Sequence, residues 1–328
     1  MDAFHSYDNT IGFFVGNEVE DDVGQSLASP YIKVAARDMK AYRQSKGYRN
    51  IPIGYSAADI PSLRPVLQDY LVCGGNAADS IDFFGLNAYE WCGDNTYSGS
   101  GYANLNAMAQ GYPVPIFFSE TGCMTIKPRT FGDQEAILGP DMDGTWSGAI
   151  IYEWIEEVND YGLISYGPQL PESVYSGNVE GGFTRSGTPT PVLPDFTNLQ
   201  SVWATLTPTG IPLSLYKSNE NITTPACPAS TPSGWLVNGN VALPTRAKGT
   251  GTLVPMSASS EPTTTATAAA TIASSTAVVA SETVMPTPST SASAGNRNFI
   301  PRAASGGNEV LNMSLGLLAV LMGFVWWL

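Results

Sequence analysis

Two apolar runs in this chain end on a glutamate. "GFFVGNEVED" (residues 12–21) breaks at Asn17-Glu18, and "VPIFFSETGC" (residues 114–123) breaks at Glu120. Short apolar runs rich in Phe, Val and Ile read as buried strands, and a buried strand has no reason of its own to finish on an acid. Two carboxyl groups carried by separate strands are what a retaining glycosidase uses. One protonates the leaving oxygen and the other attacks the anomeric carbon, with the two about 5–5.5 Å apart. Glu18 and Glu120 are the candidate pair. Asn17, directly before the acid, is placed to bond the sugar 2-OH, a contact that strengthens in the transition state. Tyr89 ends a third apolar run between them. An Asn-Glu pair alone is common, and an acid after a strand is often a loop residue. The three features together carry the catalytic reading.

Such acids need a scaffold that brings strand ends together. Apolar periodicity predicts strands over 11–16, 51–55, 81–88, 114–119 and 149–154. Helices are predicted between them over 30–46, 62–72, 102–110 and about 133–138. The first helix is the best marked, with Ser29 as its cap, Pro30 at its first position, apolar spacing through Ile32, Ala35, Ala36 and Met39, and Gly47 at its end. Strands apolar on both faces, alternating with helices, imply a parallel sheet with crossover helices. The expected class is α/β, a (β/α)8 TIM barrel whose active site lies at the C-terminal strand ends. Five units are visible where eight are needed, so this reading places about three units upstream of Met1. An open doubly wound sheet needs none, but it calls for a Gly-rich phosphate turn after a strand, which the sequence lacks.

Composition narrows the partners. The formal net charge is −14 and the sequence pI about 4.3, which argues against nucleic acid, since phosphate binding needs clustered Lys and Arg. A single histidine, His5, is expected on a helix surface. With no GxSxG turn present, it leaves little room for a Ser-His-Asp triad. The four cysteines, Cys73, Cys92, Cys123 and Cys227, allow two disulfides in any of three pairings. None forms a CxxC pair, so zinc is not expected. No metal or organic cofactor is indicated.

The two ends of the chain point to different fates. Residues 310–328 are almost wholly apolar, follow a polar spacer and lack a basic flank. That is the pattern of a GPI-attachment signal rather than of an ordinary spanning helix. Ser293-Ala294-Gly295 and Ala304-Ser305-Gly306 are candidate attachment sites, the first with a spacer nearer the expected length. A GPI signal presupposes entry to the ER, yet "MDAFHSYDNT" is no signal peptide, so an N-terminally truncated chain is expected. The domain reading is 1–235 for the (β/α) unit with a C-terminal packing segment, 236–309 for a disordered Ser/Thr/Ala-rich stalk, and 310–328 for the anchor signal. Asn221-Ile-Thr223 is an N-glycosylation acceptor.

"GFFVGNEV", "YIKVAARDMK", "IPIGYSAAD", "DFFGLNAYEWCG" and "IFFSETGC", in this order, resemble the fungal β-1,3-glucanosyltransferases of glycoside hydrolase family 72. The resemblance covers most of residues 1–165. It implies a secreted (β/α)8 barrel, GPI-anchored at the outer face of the cell membrane or in the cell wall. Its donor and acceptor would both be β-1,3-glucan. It also implies Glu18 as acid/base and Glu120 as nucleophile, held by Tyr89, with sugar contacts from Asn17, Asn87, Tyr152 and Tyr161. It suggests Cys92–Cys123 and Cys73–Cys227 as the disulfides.

Two departures stand out. The family has a Tyr after the nucleophile where this chain has Thr121, and the first three strand units are missing. The resemblance therefore implies an unstable or inactive chain as written. Rival expectations are an endo-β-1,3-glucanase, with water taking the second step, and an inactive GPI-anchored wall protein. Among the neighbouring acids Glu90, Glu153, Glu156 and Glu157, Glu156 is expected to support the site.

Overall fold

The computed structural model of the chain describes residues 1–210, 223–232 and 234–245. Asn221, most of the expected stalk and the apolar tail lie outside the described residues. Five parallel strands form one sheet: β1 (Phe13–Asn17), β2 (Ile53–Ala58), β3 (Phe83–Ala88), β4 (Ile116–Thr121) and β5 (Ala149–Ile151). They lie side by side in chain order. Helices α1 (Ser29–Ser45), α2 (Arg64–Val72), α3 (Tyr102–Ala109) and α4 (Gly132–Ile137) occupy the crossovers. This sequential order is that of a β/α barrel. The strand order does not reverse, as it would in a doubly wound sheet. Small antiparallel pairs follow, β6 (Ile164–Ser165) with β9 (Thr190–Pro191) and β7 (Val179–Glu180) with β8 (Phe183–Thr184), then α5 (Asp195–Trp203).

The helix-facing side of the sheet is the core. Ile53, Tyr55, Ala57, Phe84, Leu86 and Phe118 are wholly buried there and share one cluster with Ile32, Ala36, Leu67 and Leu71. Each such large side chain stabilises by about 1.5–3 kcal/mol on burial. The opposite side is aromatic: Phe14 stacks edge-on to Phe83 at 5.2 Å, and Phe83 lies 5.7 Å from Phe117. Gly54 leaves room for this layer, since a Cβ there would sit 2.2 Å from the Phe83 ring.

Two local readings change, and the fifth strand stops at Ile151 rather than at residue 154. Ser29 is the first residue of α1 and not its cap, which falls on Ala28 without a side-chain bond. The Ser29 hydroxyl is drawn off to the buried Glu20 carboxylate. His5 lies in a turn rather than on a helix, its ring stacked 3.6 Å from Tyr48.

The C-terminal described segment packs on the core. Cys227 bonds Cys73 across 154 residues, the Leu236 N–H donates to Ser26 Oγ at 3.0 Å, and Trp235 and Val237 are buried. The packing thus runs past residue 235. Among the described residues no helix is long and apolar enough to cross a membrane.

Candidate active site

Glu18 follows the last residue of β1, and Glu120 is the penultimate residue of β4, so both stand at the C-terminal edge of the sheet. What turns their surroundings toward the aromatic side is a pair of register slips. Along β1, Phe14 pairs with Gly54 but Asn17 with Ser56, a three-residue step against two. Along β4, Phe118 pairs with Leu86 but Glu120 with Asn87, again one extra residue. Side chains alternate along a strand, so one extra residue flips every later one to the other face. Asn17, Asn87 and Glu120 thereby come to one side, across three strands.

Asn87 ties the group together. Its Nδ2 donates to Asn17 Oδ1 at 3.0 Å and to Glu18 Oε1 at 2.9 Å. Its Oδ1 accepts from Ser56 at 2.9 Å and Ser119 at 2.7 Å. With 3% exposure and its polar atoms engaged, Asn87 is a tether for Glu18 more than a group offered to a ligand. Glu18 itself is exposed and adopts φ 47°, a left-handed conformation that costs a non-glycine residue about 1 kcal/mol or more.

Glu120 is partly buried. Burial pushes its carboxyl above the usual range, a 2.5 Å hydrogen bond donated by the Tyr89 hydroxyl pulls it back, and the nearby Glu18 charge pushes it up again. Burial, with the bond to Glu120, raises Tyr89 well above an ordinary tyrosine, so it stays a donor. Tyr89, Tyr152 and Tyr161 form an edge-to-face trio, with centroids 6.1, 6.0 and 5.2 Å apart. Glu18, Glu120, Asn17, Asn87, Tyr89, Tyr152 and Tyr161 thus stand at this edge, and Glu156 does not. The Cys92–Cys123 disulfide, Cα–Cα 5.2 Å, braces the loops after β3 and β4.

Several neighbours were not legible. Arg129 is buried, and its guanidinium donates to the carbonyls of Tyr161 at 2.8 Å and Tyr152 at 3.0 Å, setting the tyrosine wall. Asn159 bridges the Tyr152 hydroxyl at 3.2 Å and Glu153 Oε1 at 2.6 Å. Burial raises the Glu153 carboxyl, the Asn159 bond opposing. Glu153, rather than the expected Glu156, is the added acid whose charge reaches Glu120. Glu156 instead lines a separate cavity of about 330 Å³ with Glu157, Glu172 and Phe183. Thr121 points to the helix-facing side of the sheet. It is 1% exposed and donates to Asp133 Oδ2 at 3.0 Å, so the missing tyrosine ring falls on the core side of the sheet.

A sequential parallel β/α sheet with two acids at its C-terminal edge, one tethered by an amide and one bonded by a tyrosine, is the kind of arrangement that a carboxylate-pair glycoside hydrolase requires. Residues 1–174 match the Glucanosyltransferase family, glycoside hydrolase family 72; the chain belongs to that family. The 1,3-beta-glucanosyltransferase gas2 of Schizosaccharomyces pombe is 38% identical over 245 residues, 73% of this chain and 49% of the relative. The 1,3-beta-glucanosyltransferase GAS2 of Saccharomyces cerevisiae is 38% identical over 241 residues, 73% of this chain and 40% of the relative. The chain therefore spans less than half the length of these relatives. The crystal structure of Saccharomyces cerevisiae Gas2p in complex with laminaritriose and laminaritetraose superposes with TM-score 0.61 at 36% identity, covering 73% of this chain and 50% of that one.

Proposed function

We propose that this chain carries the acid/base and nucleophile half of a retaining 1,3-β-glucanosyltransferase. Glu120 attacks the anomeric carbon of a β-1,3-glucan, and Glu18 protonates the leaving glucan. The same Glu18, now ionised, takes the proton from the 3-OH of an acceptor glucan, whose oxygen attacks the anomeric carbon, displaces the Glu120 carboxylate and forms the new β-1,3 bond. The observation that carries this is the pair Asn87, on β3, and Tyr89, just past its end, which hold Glu18 on one side and Glu120 on the other. Asn17 contacts the sugar 2-OH, and Tyr152 and Tyr161 offer ring faces to its C–H surface. The laminari-oligosaccharides bound by Gas2p support this substrate class.

Two disulfides support an oxidising, extracellular setting. The apolar residues 310–328 support GPI anchoring at the outer membrane face and cell wall, with 236–309 as the stalk and Asn221 as a glycan acceptor.

The test is incubation of the full chain with reduced laminari-oligosaccharides and analysis of product length. Products longer than the donor are expected, and Glu18→Gln or Glu120→Gln should lower the rate by about 10²–10⁴-fold. Shorter products alone would make the protein an endo-glucanase, no products at all would favour the inactive wall protein, and full activity in Glu120→Gln would overturn the assignment.

A further inference from the structure

Glu18 is the one proposed catalytic carboxyl that lies outside a strand, in a left-handed turn. Its position depends on what holds that turn. On the entry side, the Glu18 N–H donates to the Ser56 carbonyl at 2.9 Å, continuing the β1–β2 ladder by one bond. On the exit side the ladder has ended, and the next N–H, that of Val19, donates to the Tyr55 hydroxyl at 2.9 Å. Tyr55 is wholly buried on the helix-facing side of β2, 36 residues away in sequence. Val19 itself is exposed at 46% and supplies little packing of its own. One residue further, Glu20 turns inward to 1% exposure, where the Ser29 hydroxyl at the start of α1 donates to it.

We propose that Tyr55 is a positioning residue for the acid/base: its hydroxyl clamps the Val19 amide and so fixes the turn that holds Glu18 at the strand ends beside Asn87. This rests on the reading of Glu18 above. Without the clamp, the Val19 N–H loses its protein acceptor at the point where the backbone is held in a conformation it does not favour. Asn87 still tethers the Glu18 carboxylate, but from a base that is free to shift. Small displacements of a catalytic group weigh heavily on rate, whereas the tyrosine wall that lines the sugar site is untouched.

The experiment compares wild type, Tyr55→Phe and Gly16→Ala as full chains. Tyr55→Phe removes one oxygen and keeps the buried ring. Gly16→Ala disturbs the same turn from the other side, because its Cβ would stand 2.8 Å from Val19 Cγ2 and 3.4 Å from the Tyr55 ring. It does so with the Tyr55 hydroxyl still present.

Transfer kinetics on reduced laminari-oligosaccharides should show kcat falling by about tenfold in Tyr55→Phe, the scale of one lost hydrogen bond, with KM unchanged. Gly16→Ala should shift in the same sense. Amide hydrogen exchange, which needs no turnover, should show protection lost at Val19 in Tyr55→Phe and retained across β2 and β3. Wild-type kcat together with wild-type Val19 protection in Tyr55→Phe overturns the clamp. An equal rise in KM, or protection lost across the whole sheet, also overturns it, since that marks a general packing role. If Glu18→Gln keeps full activity, the reading of Glu18 falls, and the exchange experiment still decides whether Tyr55 holds the turn.

Discussion

Glu120 shows how burial and two side chains set the proposed nucleophile. Burial and the neighbouring Glu18 charge both favour its protonated form, and the Tyr89 hydroxyl favours the carboxylate. Attack on the anomeric carbon requires the carboxylate. Tyr89→Phe removes the stabilising donor and leaves both opposing effects, so the Glu120 pKa rises. The acid limb of the pH–rate profile should move to higher pH. A hydrogen bond to a charged group is worth about 1.5–3 kcal/mol, so kcat should fall by roughly 10–100-fold at neutral pH. An acid limb that stays in place in Tyr89→Phe would mean the hydroxyl does not act on Glu120. Thr121 carries a different lesson. Sequence comparison marks it as a lost aromatic beside the nucleophile, but its side chain belongs to a buried set with Asp133 and Gln134.

At the scale of elements, the turn after β1 joins the active-site edge to α1 through a buried acid. Burial raises the Glu20 carboxyl from 4.5 to about 7, only partly offset by the Ser29 hydroxyl. Its neighbours are the neutral hydroxyls of Tyr55 and Tyr70, which both feel its charge. A carboxyl whose folded pKa is raised contributes stability that is fully present below its unfolded value. That stability is lost as pH rises through the folded value. From this group alone the protein should lose about 3 kcal/mol between pH 4.5 and 8. Urea denaturation across that range should show the decline in wild type, and Glu20→Gln should flatten it by that amount. An unchanged slope in Glu20→Gln would assign the pH dependence to other groups. The register slips in β1 and β4 belong to this scale too. Each places an asparagine or glutamate on the aromatic side that strict alternation would have turned toward the helices.

For the whole molecule, the long-range staple is Cys73–Cys227. It closes 154 residues and fastens the segment carrying Trp235, which packs 5.3 Å from Tyr70. Closing a loop of that length restricts the unfolded chain by about 5 kcal/mol in the chain-entropy account, against about 4 kcal/mol for the 31-residue Cys92–Cys123 loop. The Cys73→Ser/Cys227→Ser double variant should therefore unfold at markedly lower urea concentration. Its tryptophan emission should shift to the red as Trp235 is released. The Cys92→Ser/Cys123→Ser variant should lose somewhat less stability and more activity, because its bond braces the loops beside Tyr89 and Glu120. Equal loss of activity in the two variants would remove the distinction between staple and brace.

The alternation of strands and helices, their approximate limits and the two acids at strand ends were determined by the sequence itself. Apolar periodicity, Pro30 at the start of a helix and Gly47 just past its end are local signals that survive without knowledge of the fold. What only the tertiary structure decided is which groups meet and which way they face. Asn87 reaches Glu18 across 69 residues, Tyr55 reaches Val19 across 36, and Arg129 reaches the Tyr161 carbonyl across 32. The orientation of Thr121, the burial of Glu20 and the capture of Ser29 from the helix cap depend equally on distant packing. The physical reason is that periodicity along a strand specifies alternation but not phase. A single inserted residue inverts the phase, and only pairing with the neighbouring strand reveals it.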